Sequence, residues 1–173
     1  IDRVSELVGG LEYDICVLTG DFRAKTYGPY EAALDGVARV RASLKGPLYG
    51  VLGNHDYDVA AEYLTSVVRT AGMEKAYYDF AGGGYRFIVL DGNDVSLFAP
   101  PKDDPRREIA AKRLEELKTK GVVNAQSWNG SLSDEQFAWL GKTIETAQSA
   151  NEKVIVMGHY PVYPENEHNM GDS

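Results

Sequence analysis

Cysteine occurs once in the 173 residues, at Cys16, so no internal disulfide can form. The residue lies in the apolar run 15–18, where a small buried hydrophobe is its expected role. With no second cysteine there is also no thiolate cluster for a structural zinc. Histidine is scarce as well, with three residues in all. Apolar runs are short, and none reaches the length of a membrane span. Positive charge is outnumbered: 18 Lys and Arg stand against 26 Asp and Glu, for a net charge of −8. Nucleic acid is therefore not the expected partner. That exclusion does not reach small phosphate esters, because bound divalent cations reverse the local field.

What remains is an ordinary globular composition, 43% hydrophobic and 25% charged. The length suits one domain, 1–173, with a real core. Residues 2–9 read as the end of a helix, stopped by Gly9 and Gly10. The runs 13–19, 48–52 and 153–157 read as strands buried on both faces. Helices are expected at about 30–45 and 59–70, the first with Ala33, Val37, Val40 and Leu44 on one face. The stretches 75–80 and 85–90, joined through a triple glycine, predict a hairpin. A charged helix follows at 106–120. Ser133 and Gln136 form a capping-box signature opening a helix to about 150, which should bury Phe137, Leu140 and Ile144. Strands alternating with helices predict an α/β layered fold with a largely parallel sheet.

Three of the expected strands end alike, in Gly20-Asp21, Gly53-Asn54-His55-Asp56 and Gly158-His159. Each motif alone is compatible with a plain polar turn. Open α/β sheets bind ligands beyond the carboxyl ends of their strands, so Asp21, Asn54, His55 and His159 converge if the strands are neighbours. A carboxylate, an amide oxygen and an imidazole form a donor set suited to Mn²⁺, Fe²⁺ or Zn²⁺. Tyr57, Trp128, Tyr160 and Tyr163 fall near the same edge and offer faces for a nucleobase, or simply pack loops onto the body. Asp91 and Asp94 also follow a strand, where Asp91 either lines a pocket or ends the strand. His168 reads as a loop residue.

In their order, these three motifs resemble the calcineurin-like metallophosphoesterase superfamily. Residues 85–91, 129–133 with Gln136, Trp139 and Leu140, and 154–164 resemble its manganese-dependent ADP-ribose/CDP-alcohol diphosphatase group. Residues 17–57 are closer to general bacterial phosphohydrolases. The resemblance implies an α/β/β/α sandwich and two divalent metal ions, manganese favoured. It implies that Asp21 bridges the metals and that Asn54 and His159 complete one ion's protein ligands. His55 would leave the metal alone and act as proton donor, with Asp56 orienting its imidazole. The implied reaction is hydrolysis of phosphate mono- or diesters by a metal-bridging hydroxide, on substrates such as nucleoside diphosphate derivatives, ADP-ribose among them.

The family's Asp-x-His and Gly-His-x-His motifs do not occur in the sequence. They would fall before Ile1 and after Ser173, so the expectation is an internal piece of a longer chain, with a sandwich incomplete at both ends and one metal poorly held. The same gap supports an alternative, a catalytically impaired member serving as a protein-binding scaffold. A third alternative is a generic α/β domain whose strand-end residues are turns. Oligomeric state and compartment stay open, the cytoplasm being the default.

Overall fold

The structure is a computed structural model that describes residues 2–22 and 30–171. Its elements are α1 (Asp2–Gly9), β1 (Cys16–Leu18), α2 (Tyr30–Ser43), β2 (Leu48–Gly50), α3 (Val67–Thr70), β3 (Tyr78–Gly82), β4 (Tyr85–Val89), α4 (Arg106–Lys120), α5 (Asp134–Ser149) and β5 (Lys153–Met157). Two 3-10 turns, Asn54–Tyr57 and Ala61–Ser66, lie between β2 and α3. The expected loop through Tyr27, Gly28 and Pro29, and the side chain of Ala33, lie outside what the structure describes. Among the described residues no helix is long and apolar enough to cross a membrane.

β1 and β2 pair in parallel, with Cys16 opposite Leu48 and Leu18 opposite Gly50. α2 makes the crossover, which a parallel pair requires. Val40 of α2 and Leu44, the residue just after the helix, are buried, four residues apart on the same side. The second sheet has the order β3-β4-β5. β3 and β4 form the expected antiparallel hairpin, and β5 adds in parallel, Tyr85 opposite Lys153. The sheets meet through side chains. The Tyr49 ring stacks on Phe80 with centroids 3.6 Å apart, and the Tyr78 hydroxyl donates to the Gly50 carbonyl at 2.9 Å. On β4 and β5, Ile88 and Val154 join Leu140 and Ile144 of α5 in one apolar cluster.

Three expectations change. The segment 59–70 is not one α-helix but a 3-10 turn running into a single α turn. It is rich in β-branched residues, which resist the helical state. Its buried residues, Leu64 and Val67, are three apart, the repeat of a 3-10 turn. None of the three strands is buried on both faces: β1 and β2 are half-buried along their length, and in β5 Ile155 is 40% and Val156 48% exposed. β5 is an edge strand, bonded to β4 on one side only among the described residues. α5 buries Gln136, Thr143 and Ala147, with Leu140 and Ile144 packed beside them, and leaves Phe137 47% exposed. Residue 136 takes the inward position, and its neighbour is turned about 100° away.

Candidate active site

Loop geometry at the strand ends begins with glycine. After β1 the chain turns through Gly20 at φ +99 and Asp21 at φ +55. A Cβ on Gly20 would stand 2.5 Å from the Gly53 nitrogen and 2.7 Å from His159 Nδ1. A Cβ on Gly53 would stand 2.2 Å from Asp21 Oδ1 and 2.7 Å from His159 Cε1. Two loops far apart in sequence therefore close to backbone contact, with the His159 ring of a third against both, which only residues without a side chain permit.

Reciprocal hydrogen bonds lock two of these loops. The Asp56 carboxylate, fully buried, accepts from the backbone N–H groups of Gly53 at 2.9 Å, Asp21 at 3.0 Å and Phe22 at 2.8 Å. In return, the His55 N–H donates to Asp21 Oδ1 at 3.1 Å. Burial pushes the Asp56 carboxyl above the usual carboxylate range, and the three N–H donors pull against that rise.

This corrects the role expected for Asp56. It ties the loops together and caps the 3-10 turn at Gly53 rather than holding the His55 ring. The partner of that ring is Asp58, whose Oδ2 lies 2.8 Å from His55 Nδ1. The reason is the turn itself, where His55 and Asp58 stand three residues apart and share a face. The Asp58 contact raises the His55 pKa above its ordinary value; partial burial opposes this, and the charge of Asp21 adds to it.

His159 follows β5. Its Nδ1 lies 2.7 Å from the Thr19 carbonyl oxygen, which can only accept, so the proton sits on Nδ1. Nε2 then faces Asp21 Oδ2 at 3.5 Å. An imidazole lone pair and a carboxylate held face to face suit a cation between them, and a backbone carbonyl is a common orienter of a ligand histidine. Asn54 stands at the head of the 3-10 turn, between Gly53 and His55, whose backbones both touch Asp21. Among the described residues no three His, Cys, Asp or Glu side chains gather as a metal site. The donor set here is one carboxylate and one imidazole, with the Asn54 amide neighbouring them.

The four aromatic residues separate. Tyr57 is 7% exposed and packs in a cluster with Leu52, Leu64, Val67 and Ala99, so no open ring face is left for a base. Tyr160 is 6% exposed, with its hydroxyl donating to Asn93 Oδ1 at 2.7 Å. Burial pushes that phenol far above its usual pKa. Both are corrected from substrate platforms to core residues, because apolar loop segments close over them. Trp128 and Tyr163 remain exposed. His168 is exposed beside Glu167.

Sequence reasoning missed Asn93 and Asp58 and left Asp94 without a role. Asp94 is buried; it takes a hydrogen bond from Arg106 at 2.7 Å and from Gln136 Nε2 at 3.1 Å, and contacts the Ser133 hydroxyl. Asp91 is buried too, and burial pushes its carboxyl up to about 7. A hint was present, since a polar run directly after an apolar strand is where open sheets place functional groups.

The family model for calcineurin-like phosphoesterase matches residues 1–173. A manganese-dependent ADP-ribose/CDP-alcohol diphosphatase of Arabidopsis thaliana is 34% identical over 133 residues, covering 69% of this chain and 43% of the relative. The protein of the same name from Homo sapiens is 28% identical over 170 residues, covering 83% and 50%. The chain thus spans about half the length of the curated relatives it matches. A crystal structure of a dimetal phosphatase from Danio rerio superposes with a TM-score of 0.76 at 19% identity, over 99% of this chain and 64% of that one, which establishes the likeness of fold. With the three strand-end motifs in order, the loops closed on one another and the family match running from end to end, the chain belongs to the calcineurin-like phosphoesterase family.

Proposed function

We propose that this chain carries the core of a metal-dependent phosphohydrolase acting on phosphate mono- or diesters, with nucleoside diphosphate derivatives such as ADP-ribose as its substrate class. The observation that carries the reading is the opposition of His159 Nε2 and Asp21 Oδ2, with Nδ1 already committed to Thr19. The names of the relatives support the substrate class and favour manganese. Asp21, Asn54 and His159 would hold one divalent ion, and Asp21 would be shared with a second. When bound, such ions neutralise phosphoryl oxygens and acidify water.

The remaining work belongs to the chain's own side chains. His55 stays outside the ligand set, half-exposed at the same edge. Asp58 fixes its ring through Nδ1 and favours the imidazolium, which leaves Nε2 as the proton donor to the departing oxygen. Asp56 keeps the loop of Asp21 and the loop of His55 at a fixed separation. Trp128 and Tyr163 are the aromatic faces open to a nucleobase.

The test is hydrolysis of ADP-ribose and bis-p-nitrophenyl phosphate with added Mn²⁺. The wild type should turn over and require the metal. Asp21→Ala and His159→Ala should abolish the metal requirement together with the activity. Activity that survives Asp21→Ala would overturn the reading.

A further inference from the structure

Asn93 is fully buried, four residues beyond the end of β4, and is not among the groups assigned to catalysis. Its side chain nevertheless spans two of the site's loops. Nδ2 donates to the Leu52 carbonyl at 2.9 Å, and Oδ1 accepts from the Tyr160 hydroxyl at 2.7 Å. Leu52 directly precedes the tetrapeptide with Asn54 and His55, and Tyr160 directly follows His159. One amide thus joins the chain segments of the proposed ligands Asn54 and His159.

We infer that Asn93 is a positioning residue for the metal centre, setting the separation of the Asn54 and His159 loops through its two-ended hydrogen bond. Both ends are chemically directed. A backbone carbonyl can only accept, so the amide nitrogen must face Leu52, and its oxygen then meets the phenol. The amide is itself held in place, because its backbone N–H donates to Asp91 Oδ1 at 3.0 Å and its carbonyl accepts from Ser96 Oγ at 2.9 Å. The Tyr160 ring has a fixed seat as well. It passes close to Gly92, where a Cβ would run into the ring carbons Cδ2 and Cε2. Such buried and fully paired networks favour one arrangement over neighbouring ones.

The inference rests on the metal-site reading given above, and the experiment separates the two. Mn²⁺ affinity would be measured by electron paramagnetic resonance of the free ion, together with the melting temperature. The variants are Asn93→Leu, Tyr160→Phe, the pair combined, and Val40→Ala as a control, a buried residue of α2 outside the apolar clusters of Leu52 and Tyr160. Asn93→Leu should weaken Mn²⁺ binding about ten- to a hundred-fold, as loss of an outer partner of a metal site does. Tyr160→Phe removes one hydroxyl and keeps the ring, so it should fold and show a smaller loss. The double variant should be no weaker than Asn93→Leu alone, because both changes break one bridge. Val40→Ala should lower the melting temperature and leave Mn²⁺ affinity within about two-fold. A wild type that binds no Mn²⁺ overturns the site reading and this inference with it. A wild type that binds, with Asn93→Leu and Tyr160→Phe binding equally well, overturns the inference alone.

Discussion

His55 and Asp56 are adjacent in sequence and opposite in surroundings. The imidazole is half in solvent and paired with Asp58, whereas the carboxylate is sealed beneath three backbone N–H groups. Their substitutions should therefore fail differently. His55→Ala should lower kcat about 10²–10⁴-fold with the melting temperature nearly unchanged, the range for loss of a general acid. Asp58→Asn removes the partner that raises the His55 pKa, so the alkaline fall in the pH–rate profile should move to lower pH. A profile unmoved by that substitution would rule out His55 as the titrating acid. Asp91 gives a prediction about stability. Its carboxyl is raised from 3.8 to about 7 by burial, so the folded chain keeps a proton that the unfolded chain releases. Stability should then be full below about pH 4 and fall as pH rises to about 7, by about 4 kcal/mol in all. Asp91→Asn should flatten that slope in urea melts taken from about pH 5 to about pH 8.

At the scale of elements, α5 shows how a local signal is completed from a distance. Ser133 Oγ accepts from the Gln136 N–H at 3.1 Å, which is half of the expected capping box. The Gln136 side chain does not return to Ser133. It accepts from the Asp91 N–H at 2.9 Å and donates to the Asp91 carbonyl at 3.1 Å. Asp94 takes over the second half, accepting from the Ser133 N–H at 3.3 Å. Ser133→Ala should cost about 1–2 kcal/mol, at the upper part of the usual range for an N-cap because Asp94 also loses a partner. Phe137→Ser, on the exposed side of the same helix, should stay within about 0.5 kcal/mol. Denaturant titration of the two variants checks the contrast. Arg107 plays the matching part for α4, donating from Nε to the Pro100 carbonyl at 2.8 Å and from Nη2 to the Phe98 carbonyl at 2.9 Å, which fixes the loop 97–101.

For the whole molecule, the decisive feature is how closely the loops at the strand ends approach. The backbones of Gly20 and Gly53 meet where β1, β2 and β5 deliver their loops. Gly53→Ala adds only a methyl group, yet it must displace Asp21 or His159. The expected result is loss of Mn²⁺-dependent thermal stabilisation, with the metal-free melting temperature lowered by a smaller amount. If added Mn²⁺ raised the melting temperature of that variant as much as that of the wild type, the loops could not be the ligand carriers. The two sheets lean on aromatic contact as well as on aliphatic packing. Phe80→Ala removes the ring between Tyr49 and Phe87 and should cost about 3 kcal/mol, measured by chemical denaturation.

Order and chemistry were legible in the sequence. Apolar runs ending in Gly-Asp, Gly-Asn-His-Asp and Gly-His mark strands whose carboxyl ends carry donors, and the charged run 106–120 and the capping signature at Ser133 and Gln136 mark helices. These are local facts, written in residue type and spacing. Partnership was not legible, because it depends on which distant atoms a side chain meets. Spacing put Asp56 beside His55, but burial gave it to the backbones of Gly53, Asp21 and Phe22 and left the ring to Asp58. Position put Tyr57 and Tyr160 at the active edge, but packing turned both into the core. Asn93 carries only the general signal of a polar residue soon after an apolar strand. Its role exists only because Leu52 and Tyr160, 108 residues apart by their numbers, come within one amide's reach. The sequence by itself therefore determined which groups could do the chemistry, and the tertiary structure decided which of them face the reaction and which hold it in place. A hydrogen bond has a direction and a length that composition and periodicity do not contain.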